Sequence, residues 1–191
     1  MKTIALCNFK GGSGKTTSAA FLAHAFAQLG RSVVVVDADP QGSLLRWSEE
    51  ADWGIPTLAL PTKTIHRQLP GIVGDRYDIA LIDTPGFNDR TGIVYAAIRA
   101  ADLVVLPMAP TMMELERVPH VLAAVDEVAV SRDIELPHRV LLNRTITNAS
   151  STQVIRDQLA ELGCDVLPTA IPRREVIGQA LGEPVEGPLY G

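Results

Sequence analysis

Short, nearly uninterrupted apolar runs alternate along this chain with longer stretches in which apolar positions recur every three or four residues. Several of the short runs are apolar on both faces, such as Val33-Val34-Val35-Val36 and Ile79-Ala80-Leu81-Ile82. That pattern belongs to strands inside a parallel sheet covered by helices on both sides. It predicts strands over 3–8, 32–37, 57–60, 78–83, 103–107, 139–143 and 165–170. Helices are predicted over 15–29, roughly 43–50, 64–73, 91–100, 111–131, 151–162 and 174–181. Strand–helix units repeated in this way imply an α/β fold, a doubly wound, mostly parallel sheet flanked by helices. Gly30 is placed to end the first helix as a C-terminal cap. Pro119 should kink or split the fifth helical stretch. No internal repeat, low-complexity segment or long linker interrupts the pattern, so residues 1–191 are expected to form one domain.

Composition narrows the classes. Of 191 residues, 47% are hydrophobic and 20% charged, which excludes a disordered, collagen-like or coiled-coil chain. A chain of this size can bury roughly 70% of its unfolded surface around one core. Its apolar runs fall short of the ~18 residues that a membrane helix needs. The run after Met1 is also too short for a secretory signal, so a soluble, cytoplasmic chain is expected. A net charge of −5 gives no bulk reason to expect nucleic acid, and any basic footprint must be local. The basic residues are skewed, with 13 Arg against 4 Lys, and Lys10 and Lys15 share one short loop. Cys7 and Cys164 stand apart in apolar settings and indicate neither a disulfide framework nor a metal cluster. His24, His66, His120 and His138 form no ligand spacing.

That loop carries the most chemistry. Asn8-Phe9-Lys10-Gly11-Gly12-Ser13-Gly14-Lys15-Thr16-Thr17 lies between the first strand and the first helix. Its glycines let the backbone turn tightly and point N–H groups inward at phosphate oxygens. The helix that follows adds the positive end of its dipole. Lys15 supplies a charge for the β- and γ-phosphates, and the Thr16 hydroxyl is placed for Mg²⁺. ATP and Mg²⁺ are the expected cofactors. The common G-x-x-x-x-G-K-[ST] spacing would put its first glycine at position 9, where this chain has Phe9.

With Lys10 heading K-G-G-x-G-K-T-T, the loop resembles the deviant P-loop of the ParA/MinD family of dimeric ATPases. In that family the additional lysine reaches across a nucleotide-sandwich dimer to the other subunit's phosphates. A second cation there can offset charge developing during phosphoryl transfer. Asp37-Ala38-Asp39-Pro40-Gln41-Gly42 looks like the family's first switch. The resemblance implies that Asp39 orients the attacking water and that Asp37 supports the metal's water network from the strand end. Asp78-Ile79-Ala80-Leu81-Ile82-Asp83-Thr84-Pro85-Gly86 reads as a Walker B strand whose Asp83 holds Mg²⁺ through water, followed by the second switch. Asp78, at the opposite end of that strand, reads as structural.

The likeness runs nearly end to end. Leu103-Val104-Val105-Leu106-Pro107-Met108-Ala109-Pro110 is similar to the family's strand ending in a P-x-x-P turn. Leu141-Leu142-Asn143-Arg144 resembles its adenine motif, and the Asn143 amide has the donor and acceptor to match the adenine edge. Pro172 and Arg173 resemble the late loop beside the base. The implied ATP-binding set is Lys10, Gly11, Gly12, Ser13, Gly14, Lys15, Thr16, Thr17, Asn143, Pro172 and Arg173. Membrane-binding relatives end in a basic amphipathic helix, whereas residues 178–191 hold no Lys or Arg but do hold Glu183, Pro184, Glu186 and Pro188. No membrane attachment through the tail is expected. No DNA-reading segment is expected ahead of the first strand. Cysteines of the nitrogenase iron-protein kind are not matched.

The resemblance therefore implies a short ParA-type partition ATPase. ATP would drive a homodimer that binds DNA without sequence preference, and a ParB-like or other activating partner would stimulate hydrolysis. Arg144, Arg156, Arg173 and Arg174 are the candidate DNA contacts. Two alternatives stay open: a positioning ATPase for a non-DNA cargo, and an ATP-dependent metabolic ligase on the same fold.

Overall fold

The Val33–Asp37 strand is buried at every position, as a run apolar on both faces requires. It lies inside a six-stranded sheet in the computed structural model, which describes residues 1–87, 91–147 and 149–185. The strands are β1 (Lys2–Leu6), β2 (Val33–Asp37), β3 (Thr57–Ala59), β4 (Ile79–Asp83), β5 (Leu103–Met108) and β6 (His138–Leu142). Their order is β3-β2-β4-β1-β5-β6, with every neighbouring pair parallel. The helices are α1 (Lys15–Gln28), α2 (Ser43–Glu50), α3 (Ile65–Val73), α4 (Thr91–Ala100), α5 (Met112–Leu115), α6 (Val118–Arg132), α7 (Ser150–Glu161) and α8 (Glu175–Gly178).

Strand periodicity sorts the core onto two faces. Val34 and Val36 pack with Ile65, Leu69, Val94, Ile98, Val121 and Val125 of α3, α4 and α6. Val33 and Val35 pack with Ala19, Ala20, Ala23, Leu44, Trp47 and Trp53 on the opposite face. Ala180 and Val185 complete that second face, and the Trp47 indole N–H donates to the Glu183 carbonyl at 2.8 Å. The segment 179–185 is therefore strapped across α2. Register places Asp37 beside Asp83 across β2 and β4, and Leu6 beside both Asp83 and Val105. The chain leaves β1 first toward β3 and later toward β6, so a crevice opens at the carboxyl end of β1, where such folds bind ligands.

Local signals act as expected at both ends of the helical stretches. Gly30, at φ 74°, donates to Ala27 while Arg31 donates to Phe26, a Schellman closure of α1. The fifth helical stretch is split, with Pro119 in the first turn of α6.

Two elements differ from expectation. The strand anticipated over 165–170 is reduced to one bridge, Val140 to Val166. Pro168 has no N–H for the ladder, and the Leu167 and Pro168 carbonyls turn to the Arg156 guanidinium at 2.9 and 3.2 Å. The helix anticipated over 174–181 is only α8, because the chain leaves it to lie on Trp47. Of the tail residues singled out above, Glu186 and Pro188 lie outside the described residues. Among the described residues, no helix is long and apolar enough to cross a membrane.

Candidate functional site

The loop between β1 and α1 can form only with glycine at its sharpest points. Gly12 and Gly14 sit at φ 75° and 91°, a region L side chains rarely enter. A Cβ at Gly14 would also stand 2.6 Å from Asn143 Nδ2. Lys15 opens α1 and is 6% exposed. Burial pushes its pKa down, with Asp83 foremost among the charges that oppose this. Its Nζ donates to the Lys10 carbonyl at 3.1 Å. A buried ammonium calls for anionic acceptors. Lys10 itself is exposed at the head of the loop.

The strand ends supply the carboxylates. Asp83 is 1% exposed, and burial pushes its pKa up to about 7, against the opposing hydrogen bond from Thr16. The Thr16 hydroxyl donates to Asp83 Oδ2 at 2.6 Å, while Oδ1 is buried without a partner. An unpaired oxygen on a carboxylate whose charge is disfavoured by burial fits a cation or its bound water. Among the described residues, no cluster of three or more His, Cys, Asp or Glu stands ready to hold a metal. Mg²⁺ at this place would therefore rest on Thr16, Asp83 and phosphate oxygens.

Asp37 has a structural role that sequence reasoning missed. Its carboxylate accepts from the N–H groups of Asp39, Leu44 and Leu45 at 3.0, 2.9 and 2.9 Å. It thereby caps α2, whose own N-cap residue, Gly42, has no side chain to do so. Burial raises the Asp37 pKa, and these three donors oppose the rise. Asp39 follows, half-buried, with Oδ1 accepting from the Gln41 N–H at 3.0 Å. Asp78 sits at the far end of its strand, where its carboxylate accepts from the backbone and hydroxyl of Ser32.

On the other side of the crevice, Asn143 is buried, with Nδ2 donating to the Ser13 carbonyl at 2.7 Å and Oδ1 left without a partner. Thr145 N–H donates to Ile171 and Arg173 N–H donates to Thr145, at 3.1 and 2.8 Å, joining two loops into one wall. The resulting cavity, about 1080 Å³, is lined by Gly14, Thr17, Asn143, Pro172, Arg173 and Arg174 among others. Arg144, in a left-handed turn at φ 52°, borders the same cavity. Three of the four candidate DNA contacts are thus brought together and exposed, while Arg156 is tied to the 167–168 carbonyls.

One further contact of the site was not anticipated from the sequence. Asn8 Nδ2 donates to the Pro107 carbonyl at 2.7 Å and to Glu114 Oε2 at 3.4 Å, so the P-x-x-P turn leans on the phosphate loop. Nothing local announces contacts that span 99 and 106 residues.

Comparisons with known proteins give the family and the fold. The family described as CbiA, the CobQ/CobB/MinD/ParA nucleotide binding domain, matches residues 4–184. The maintenance of carboxysome distribution protein A of Halothiobacillus neapolitanus is 31% identical over 187 residues, covering 96% of this chain and 85% of that protein. The chromosome-partitioning ATPase Soj of Thermus thermophilus is 29% identical over 215 residues, covering 94% and 84%. Among solved structures, apo McdA of Cyanothece superposes with a TM-score of 0.77 at 18% identity, over 95% of this chain and 90% of that one. Cobyrinic acid a,c-diamide synthase of Mycobacterium smegmatis, with ADP and magnesium, gives 0.75 at 22%, over 95% and 90%. At such identities the structural likeness establishes the fold.

Proposed function

The chain belongs to the CobQ/CobB/MinD/ParA nucleotide-binding family, and from that premise we propose that it is a ParA-type ATPase whose two copies close on two ATP molecules to position a cargo. The observation that carries this reading is the contrast between the loop's two lysines. Lys15 is buried beside Thr16 and Asp83, whereas Lys10 stands exposed at the rim of the same loop. An exposed cation at the rim of a phosphate site is suited to a second subunit.

Each residue has a task within this scheme. The N–H groups of residues 11–16 cradle the phosphates, and Lys15 draws the β- and γ-phosphates into the crevice. Thr16 and Asp83 would hold Mg²⁺, which supplies charge neutralisation on the phosphate oxygens when bound. Asp39 orients the attacking water. Lys10 reaches the other subunit's phosphates and offsets charge as the phosphoryl group transfers. The unpaired Asn143 Oδ1 accepts from the adenine amino group, with Pro172 and Arg173 beside the base.

Dimerisation would double the patch formed by Arg144, Arg173 and Arg174, with Arg156 behind it. Non-specific DNA affinity would then depend on ATP, because counterion release grows with the number of phosphate contacts. A ParB-like or other activating partner would accelerate hydrolysis and return the chain from the nucleoid to the cytoplasm. The carboxysome-distribution relative favours a second reading on the same machinery, in which the cargo is a protein assembly.

Sedimentation of wild type and Lys10→Ala with ATP and Mg²⁺, with and without plain duplex DNA, tests the scheme. ATP-driven dimers in wild type alone are expected. Monomers under every condition would exclude it.

A further inference from the structure

Phe9 occupies the position at which the common loop has its first glycine, and phosphate binding gives no reason for a ring there. Its ring stacks on Phe87, with centroids 5.8 Å apart and planes within 10°, and lies 5.5 Å from the His120 ring of α6. Phe87 meets Tyr95 of α4 edge-on at 6.4 Å. The Tyr95 hydroxyl donates to Glu127 of α6 at 2.7 Å.

The backbone follows the rings. Phe87 N–H donates to the Phe9 carbonyl at 3.2 Å, and the Thr91 hydroxyl donates to the Phe87 carbonyl at 2.5 Å. A Cβ at Gly86 would stand 3.2 Å from the Phe9 carbonyl oxygen and 3.4 Å from Gly11 N. The segment that follows Asp83 is therefore docked, by ring and by main chain, on the residue that immediately precedes Lys10.

We propose that the Phe9–Phe87 stack is a positioning element that fixes the direction of the Lys10 side chain and ties it to the second switch and to α4 and α6. This rests on the reading that Lys10 acts across a dimer. A long, exposed ammonium loses rotamer freedom when it docks. Anchoring its backbone beforehand removes part of that loss, as preorganisation does elsewhere. The stack joins the second switch to the loop, so a shift after Asp83 moves Phe87, then Phe9, then Lys10. Phe9 and Phe87 touch no phosphate on this account and act through Lys10.

Two measurements separate this inference from the dimer reading. In the first, Lys10→Cys is labelled with a nitroxide and its spectral line shape is read in the full chain. Cys7 and Cys164 are buried, and burial pushes the Cys7 thiol up to about 12, so labelling selects position 10. Adding Phe87→Leu should make the label several-fold more mobile, Phe87→Tyr should leave it ordered, and Tyr95→Phe should loosen it slightly. In the second, Phe87→Leu with Lys10 intact should bind a fluorescent ATP analogue within about twofold of wild type yet dimerise about tenfold more weakly.

An unchanged label overturns the proposal, whatever the chain's assembly state. Equal losses in nucleotide binding and dimerisation also overturn it, since they describe a merely structural role. Phe9→Leu, read in the second measurement, substitutes for Phe87→Leu if that variant does not fold. Lys10→Ala that dimerises like wild type removes the dimer reading instead, and with it any use for the stack.

Discussion

The two ends of the crevice are built differently. At the phosphate end, Lys15, Asp37 and Asp83 are 6%, 1% and 1% exposed and stand at the tips of adjacent strands or on the first turn of α1. Their spacing is set by sheet register, which a packed core enforces to within one residue. At the base end, Arg144, Arg173 and Arg174 are exposed on two loops beyond the sheet, which holds them only at their roots, through Asn143 N–H to Met108 and Ile171 N–H to Leu142 at 2.8 and 2.9 Å. Backbone bonds at Thr145 hold those loops to each other. Charges can be kept out of water only where the scaffold is stiff. The phosphate end is therefore preorganised, while the base end is a wall of loops around a large cavity.

Gly14 is where the two ends meet, so Gly14→Ala should have the largest effect. The new methyl would occupy a left-handed backbone at φ 91° and strike Asn143 Nδ2. ATP affinity measured by calorimetry should fall at least about 100-fold, roughly 2.7 kcal/mol. A loss below threefold would mean that the two ends are not joined there.

An effect confined to the phosphate end should come next. Burial raises Asp83 to about 7, so the folded chain holds a proton that the unfolded chain has released above about pH 4. In the chain free of nucleotide and magnesium, the stability that Asp83 contributes should therefore be fullest below about pH 4 and be lost as pH rises through 7. The Asp83 contribution between pH 5 and 7.5 is on the order of 2 kcal/mol. Melting curves of wild type and Asp83→Asn check this, and a slope shared by both proteins would assign the decline to other groups.

The smallest effect should be confined to the base end. Asn143→Ala should weaken ATP about tenfold, or ~1.4 kcal/mol, while leaving inorganic tripolyphosphate affinity unchanged. Parallel loss of both ligands would show that the Asn143 bond to Ser13 serves the phosphate loop rather than the base.

The same contrast explains what could be read in advance. The phosphate loop is a run of adjacent letters between a strand and a helix, and Asp37 and Asp83 each end an apolar run, so local pattern exposes them. The buried strands and the helical cover on both faces follow from the same runs, whereas the order of the strands in the sheet does not. The Asp37 cap on Leu44 and Leu45 was hidden because Gly42, in the N-cap position, carries no capping side chain. The Asn8–Glu114 contact joins residues 106 apart and leaves no periodic trace. The strand anticipated over 165–170 failed on one proline and one arginine that captured its carbonyls. Which arginine is tied down and which is free depends on tertiary contacts alone.

The chain's two tryptophans stand 5.6 Å apart, Trp47 with its indole on the Glu183 carbonyl of the 179–185 strap. That strap begins where α8 leaves the cavity wall at Ile177 and Gly178. Lifting it would wet a neighbouring indole pair and redden its ultraviolet emission. The protein thus carries an intrinsic optical gauge of its far pocket wall, readable without any added dye.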